Sequence, residues 1–228
     1  MMATDMDDVV KEFFDRKYEE KINKNLLYYS FPHDEVEEYV KAIIAEPLPR
    51  FLVYIEGLKN KELIRPKDVF QFSNLDDATL NYCLKLKKVD NPGLSLLEIG
   101  KLLQDDGKER KDGAYVKYGE NHAKLAKELG LGFELCNTYY LSGIGYIFAE
   151  LSEDNRKHMI SRLILRSKLI CRLYQASENG DVDLRQFLYM LADSTYIRRR
   201  SNIKKMADYL IKCEDNEYLM ERLNHIKY

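Results

Sequence analysis

Apolar positions along the chain recur mostly at intervals of three and four, the period of amphipathic helices. Val9, Val10, Phe13, Phe14, Tyr18 and Ile22 predict a helix within 6–29, with its acidic residues early. Residues 34–46 predict a second helix. Asp34 is its expected cap, and Val36, Tyr39, Val40, Ile43 and Ile44 form its stripe; Pro47 and Pro49 end it. Residues 50–59 are too short for periodicity to separate helix from strand, and 60–74 read as loop around Pro66. A helix is expected over 76–88 with Leu80, Leu84 and Leu86 inward, before a break at Asp90-Asn-Pro-Gly93.

After that break, Ser95-Leu-Leu-Glu98 is a capping box that opens a helix to about Leu103. A polar loop over 104–113 leads into a helix over 115–129, with Ala123, Leu125, Ala126 and Leu129 on its core side. Gly130 supplies the left-handed stop and Leu131 the apolar contact beyond it. Phe133–Cys136 and Tyr139–Leu141 then flank Asn137-Thr138, which suits a two-stranded hairpin. Helices are expected from Ser142 to about Leu151 and over 153–166, 168–174, 183–192 and 194–213. The tail over 218–228 reads as either a wing strand or a helix.

The order helix, helix, helix, hairpin over 76–141 is the layout of a winged helix-turn-helix. The fold class expected is therefore mainly α. It comprises an N-terminal helical segment (1–75), a winged-helix unit (76–151) and a second winged-helix-like unit (152–228).

Composition narrows the classes further. With 11 Gly and 5 Pro in 228 residues and 32% charged, the chain is neither collagen-like nor disordered throughout. The longest clean apolar run, Phe51–Ile55, is far shorter than the ~18 residues a membrane span needs. The acidic start Met1–Asp8 lacks the apolar stretch of a secretory signal. A cytoplasmic protein without a membrane partner is expected. The four cysteines are never closer than 35 residues, which disfavours zinc. No phosphate-binding loop or nucleophile motif is present, so neither a cofactor nor a catalytic residue is assigned. Gly180–Phe187 imitates half of a calcium loop, but Gln175 and Gln186 stand where the acidic ligands belong.

The net charge of −2 hides an asymmetry. Residues 1–92 hold 14 Lys/Arg against 18 Asp/Glu, whereas 151–228 hold 15 against 11. Arg198-Arg-Arg200, Lys204 and Lys205 put five cations on little more than two helical turns. Arginine forks suit phosphate oxygens and guanine edges, and Asn202 has the amide that reads adenine. Tyr115, Lys117, Tyr118, Asn121, His122 and Lys124 cluster at the start of the expected third helix. Asn121 and His122 lie off its apolar stripe, where exposure is expected. Asn137 and Thr138 mark the hairpin tip. Arg162, Arg166, Lys168 and Arg172 read better as long stems covering apolar surface than as an extended basic track.

Tyr118–Leu131, ending Ala126-Lys-Glu-Leu-Gly-Leu131, followed by Tyr139-Tyr-Leu-Ser-Gly-Ile-Gly145, resembles winged-helix modules. Ser194-Thr-Tyr-Ile-Arg-Arg-Arg-Ser-Asn-Ile203 resembles a helix of the DNA-recognition regions of type IIS restriction and nicking endonucleases and related defence proteins. Together these cover about residues 76–213. The resemblance implies a sequence-specific partner of double-stranded DNA, a recognition protein or subunit of a restriction, defence or regulatory system. Tyr196 joins the arginines among its expected contacts. In the family, cleavage needs a separate nuclease domain. Here only Glu109-Arg-Lys111, with Asp105 or Asp106 upstream, imitates its Mg²⁺-binding core. An Mg-dependent endonuclease and a protein–protein adaptor stay open as alternatives. The N-terminal helices are expected to form a homodimer or hold a partner subunit.

Overall fold

The structure, a computed structural model, describes residues 32–58, 64–90 and 93–228. In chain order come α1 (Asp34–Ala45), α2 (Leu48–Gly57), a 3-10 turn at Pro66–Asp68, α3 (Leu75–Ala78), α4 (Leu80–Lys88), α5 (Leu96–Leu103) and α6 (Asp112–Glu128). The hairpin strands β1 (Gly132–Leu135) and β2 (Thr138–Leu141) follow, then α7 (Gly143–Glu150), α8 (Glu153–Arg166) and α9 (Lys168–Ala176). Last are β3 (Val182–Asp183), α10 (Leu184–Phe187), α11 (Asp193–Glu214), α12 (Glu217–Asn224) and β4 (Ile226–Lys227). The protein is mainly helical. Among the described residues, no helix is long and apolar enough to cross a membrane. The helix expected within 6–29 lies outside the described residues.

Two compact units share the chain. One takes the described residues of 32–47 and 74–159; the other takes those of 48–73 and 160–228. This differs from the expected division at 75/76 and 151/152. The described part of 1–75 does not stay together, because α1 joins the hairpin-bearing unit and α2 joins the C-terminal helices. Pairing of segments so distant in sequence leaves no trace in local periodicity.

In the first unit, α1 buries Val36, Tyr39, Val40 and Ile43 and lies on α7. His33, not Asp34, occupies the N-cap, and Asp34 sits in the first turn with Glu35 and Glu37. There these acids meet the partial positive charge of the helix N-terminus. The expected helix over 76–88 breaks at Thr79 into α3 and α4. Leu86 is buried, but Leu84 is 44% exposed, since it points away from the face that Tyr82, Cys83 and Leu86 bury.

The capping box forms as expected. Ser95 N donates to Glu98 Oε2 at 2.8 Å, and Glu98 N donates to Ser95 Oγ at 3.3 Å. From there α5 runs against α6 almost backbone to backbone. A side-chain carbon on Gly100 would lie 1.9 Å from the Tyr115 carbonyl oxygen, and one on Gly119 2.0 Å from that of Leu96. These two glycines thus fix how α6 is rotated. At its end Gly130 has φ 73°; its N–H donates to Lys127 O at 3.0 Å, and that of Leu131 to Ala126 O at 2.9 Å. This is the Schellman arrangement, which satisfies carbonyls the helix leaves open.

The hairpin turns one residue earlier than expected. Leu135 pairs with Thr138, and Cys136 and Asn137 take φ of 51° and 62°. A two-residue type I′ turn needs positive φ at both central positions, and β-branched Thr138 is better placed in the strand. Leu94 adds a one-residue antiparallel bridge to β2, with both Leu94–Tyr139 backbone hydrogen bonds at 2.9 Å.

In the second unit, α2 buries Phe51, Leu52 and Ile55 and packs on α9. Gln175 Nε2 caps the end of α2 by donating to the carbonyls of Ile55 (2.8 Å) and Leu58 (2.6 Å). Helix α11 buries Ile203, Met206, Ala207 and Leu210. Its Glu214 accepts from Ser161 and, at 2.6 Å, from Arg162; the Arg162 and Glu214 side chains are 5% and 3% exposed. The tail over 218–228 is helix α12 followed by β4, which runs parallel to β3 rather than forming a hairpin wing.

Candidate nucleic-acid interface

Helix α6 divides its expected contact residues by rotation. Tyr115 is buried, and its hydroxyl donates to Lys108 O at 2.9 Å. Tyr118 is half-buried and donates its hydroxyl to Asp77. His122 is fully buried, against the exposure expected of it. Its ring lies 4.1 Å from that of Tyr118, and Nδ1 lies 2.8 Å from Tyr118 O. The Gly100–Gly119 crossing turns that side of α6 inward, and burial pushes the His122 imidazole below its ordinary value. Tyr115, Tyr118 and His122 therefore hold the unit together.

Lys117 and Lys124 are exposed, and Asn121 is half-exposed. Between the two lysines stands Glu120, which is not among the contact residues expected from the sequence. It accepts from Lys117 at 2.8 Å and from Lys124 at 2.7 Å. These two ammonium groups hold the Glu120 carboxyl down to about 2. The spacing of three and four residues is the signal that could have found it. Lys127 is likewise paired, with Glu134 of β1 at 2.8 Å. At the hairpin tip Asn137 is exposed and Thr138 half-buried.

Helix α11 splits its polar residues differently. Arg199 donates to the carbonyls of Pro66 and Val69, Asn202 to that of Phe72, and Lys205 to that of Ser73 at 3.2 Å. These positions, three residues apart, form a spiral row that fastens the segment 66–73 along the helix. Asn202 is buried, so its amide is not available to read adenine. Lys168 reinforces the same segment through Asp68 at 3.0 Å. Tyr196 is buried under the Arg185 guanidinium, 5.3 Å from its ring centre.

Arg198, Arg200 and Lys204 face solvent. Arg198 donates to Ser194 O of its own helix at 3.0 Å, and among the described residues neither Arg200 nor Lys204 has a carboxylate partner. Exposed Ile197 lies beside them. Of the basic track considered over 162–172, Arg162 is buried on Glu214 and Lys168 is taken by Asp68, in keeping with a structural role.

The tripeptide Glu109–Lys111 sits in the loop between α5 and α6. There Arg110 holds Asp106 with a hydrogen bond of 2.7 Å and keeps its carboxyl well below the usual range. Among the described residues no three His, Cys, Asp or Glu side chains gather as metal ligands would. Asp183 caps α10 by accepting from Gln186 N at 3.0 Å.

No known protein family, curated protein or solved structure matches this chain.

Proposed function

We propose that this chain is a DNA-binding protein, a recognition protein or subunit of a restriction, defence or regulatory system. The observation that carries it is the outward face of α11. There Arg200 and Lys204 stand one turn apart and, among the described residues, meet no carboxylate, with Arg198 exposed on the other flank of the helix. Such cations displace counterions from a phosphate backbone and supply sequence-independent affinity. What supports a winged-helix assignment for the first unit is its order. Helix α4, the Leu94 bridge, α5, α6 and the β1–β2 hairpin follow one another, with Lys117, Asn121 and Lys124 of α6 reaching solvent. The resemblance of Ser194–Ile203 to restriction-enzyme recognition regions supports the choice of system. Two buried thiols, Cys83 and Cys171, fit a reducing cytoplasm.

The test is duplex binding followed across a salt series. Arg200→Gln with Lys204→Gln should weaken every sequence alike and flatten the log–log salt slope by about 1.8, at about 0.9 for each phosphate no longer neutralised. An absence of binding at low salt by the unaltered protein overturns the proposal.

A protein-contact role is favoured instead by one observation, the pairing of each α6 lysine with an acid. It requires salt-insensitive capture of a protein partner without a duplex shift. Helix α1 is not proposed as a dimer surface, since its apolar stripe is spent inside the first unit.

A further inference from the structure

The three charges at the centre of the outward face of α6 sum to +1, because one carboxylate stands between two ammonium groups. Glu120 reaches Lys117 at 2.8 Å and Lys124 at 2.7 Å, with different oxygens. Lys127 is also occupied, by Glu134. Asn121 follows Glu120 directly, half-exposed, with its amide uncommitted among the described residues. A helix of this kind gains little from phosphate. Its carboxylate repels the backbone, and its lysines must leave a partner before taking another. Asn121 by contrast carries a donor and an acceptor, the pair that matches an adenine edge.

We propose that Glu120 is a specificity-determining residue of α6, which withholds Lys117 and Lys124 from phosphate so that the helix adds base discrimination through Asn121 rather than general affinity. This rests on the DNA-binding reading above. Glu120 stays ionised through the whole neutral range, so the restraint is permanent rather than switched by ordinary changes of pH.

The experiment compares Glu120→Gln with the unaltered protein on a short random-sequence duplex and on a selected target, across a salt series. Thermal melting confirms that both are folded. Glu120→Gln should bind the random duplex more tightly, with a salt slope steeper by up to about 1.8 for two released lysines. The preference for the target should shrink. Lys117→Gln with Lys124→Gln should change the slope of the unaltered protein little, and should erase the gain when added to Glu120→Gln.

Affinity and slope unmoved by Glu120→Gln, while Arg200→Gln with Lys204→Gln still weakens binding, overturns this inference and leaves the DNA-binding reading intact. So does a loss of slope from the α6 lysine pair as large as that from the α11 pair. Absence of duplex binding by all the proteins overturns the DNA-binding reading and this inference together.

Discussion

Helices α6 and α11 carry similar runs of cations and amides, yet they use them in opposite ways. On α6 the inward side chains are Tyr115, Tyr118 and His122, and the outward lysines are paired with Glu120 and Glu134. On α11 the row Arg199, Asn202 and Lys205 turns to backbone carbonyls of 66–73, and Arg198, Arg200 and Lys204 are left to solvent. The difference shows that a cationic run is not yet a cationic surface. Carboxylates at three or four residues' distance can cancel it, and a neighbouring segment with open carbonyls can absorb part of it. In the function proposed above, duplex affinity accordingly comes from α11 and discrimination from α6.

The strongest challenge to this division lies at the end of α11. Glu214 is buried with Arg162, and removing one member of such a pair leaves the other charged and unsolvated. Glu214→Ala should therefore destabilise the second unit by about 3–5 kcal/mol. Denaturant unfolding measures it, and a loss below about 1 kcal/mol would show that the pair is not held as described.

A smaller effect separates the two sides of α11. Asn202→Ala leaves the Phe72 carbonyl without its donor and should reduce stability by about 1–3 kcal/mol. The salt slope of duplex binding should stay as it was, because the residue is buried. A flattened slope without loss of stability would instead place Asn202 on the nucleic acid.

The mildest effect belongs to α6 and depends on pH. Burial lowers the proton affinity of His122 in the folded chain, so the unfolded chain binds the proton more readily. This contribution to stability is complete above the ordinary histidine value of about 6.5 and is lost as pH falls from there toward the folded value. Melting temperature between pH 7.5 and 5.5 should fall more steeply for the unaltered protein than for His122→Gln. Parallel curves for the two proteins would mean that His122 is reached by solvent.

Much of the fold is legible locally. The Ser95–Glu98 box, the Gly130 stop and the hairpin all depend on a few adjacent residues, and each appears where the pattern puts it, the turn within one position. Leu84 does not follow, because it lies two residues from Leu86, on the far side of the helix from the face that Tyr82, Cys83 and Leu86 bury. The site is less legible. His122 stands three residues before Leu125 and four before Ala126, on the side of the apolar stripe, so helical spacing itself carries its burial and the exposure expected of it misread that spacing. What the spacing does not show is how closely the neighbouring helix approaches that side, which Gly100 and Gly119 permit by letting two backbones meet. Glu120 stands in the sequence at the right spacing, but the lysines on either side of it are the more conspicuous signal.

The sequence by itself determined the period of the longer helices, the Ser95–Glu98 box, the Gly130 stop and the hairpin that follows. These follow from contacts within a few residues, where the chain's own geometry leaves few choices. Only the tertiary structure decided that α1 and α2 belong to different units and which polar side chains of α11 are already bound to carbonyls 130 or so residues away. Those outcomes depend on packing between distant segments, and local periodicity does not encode which distant partner a polar side chain will meet.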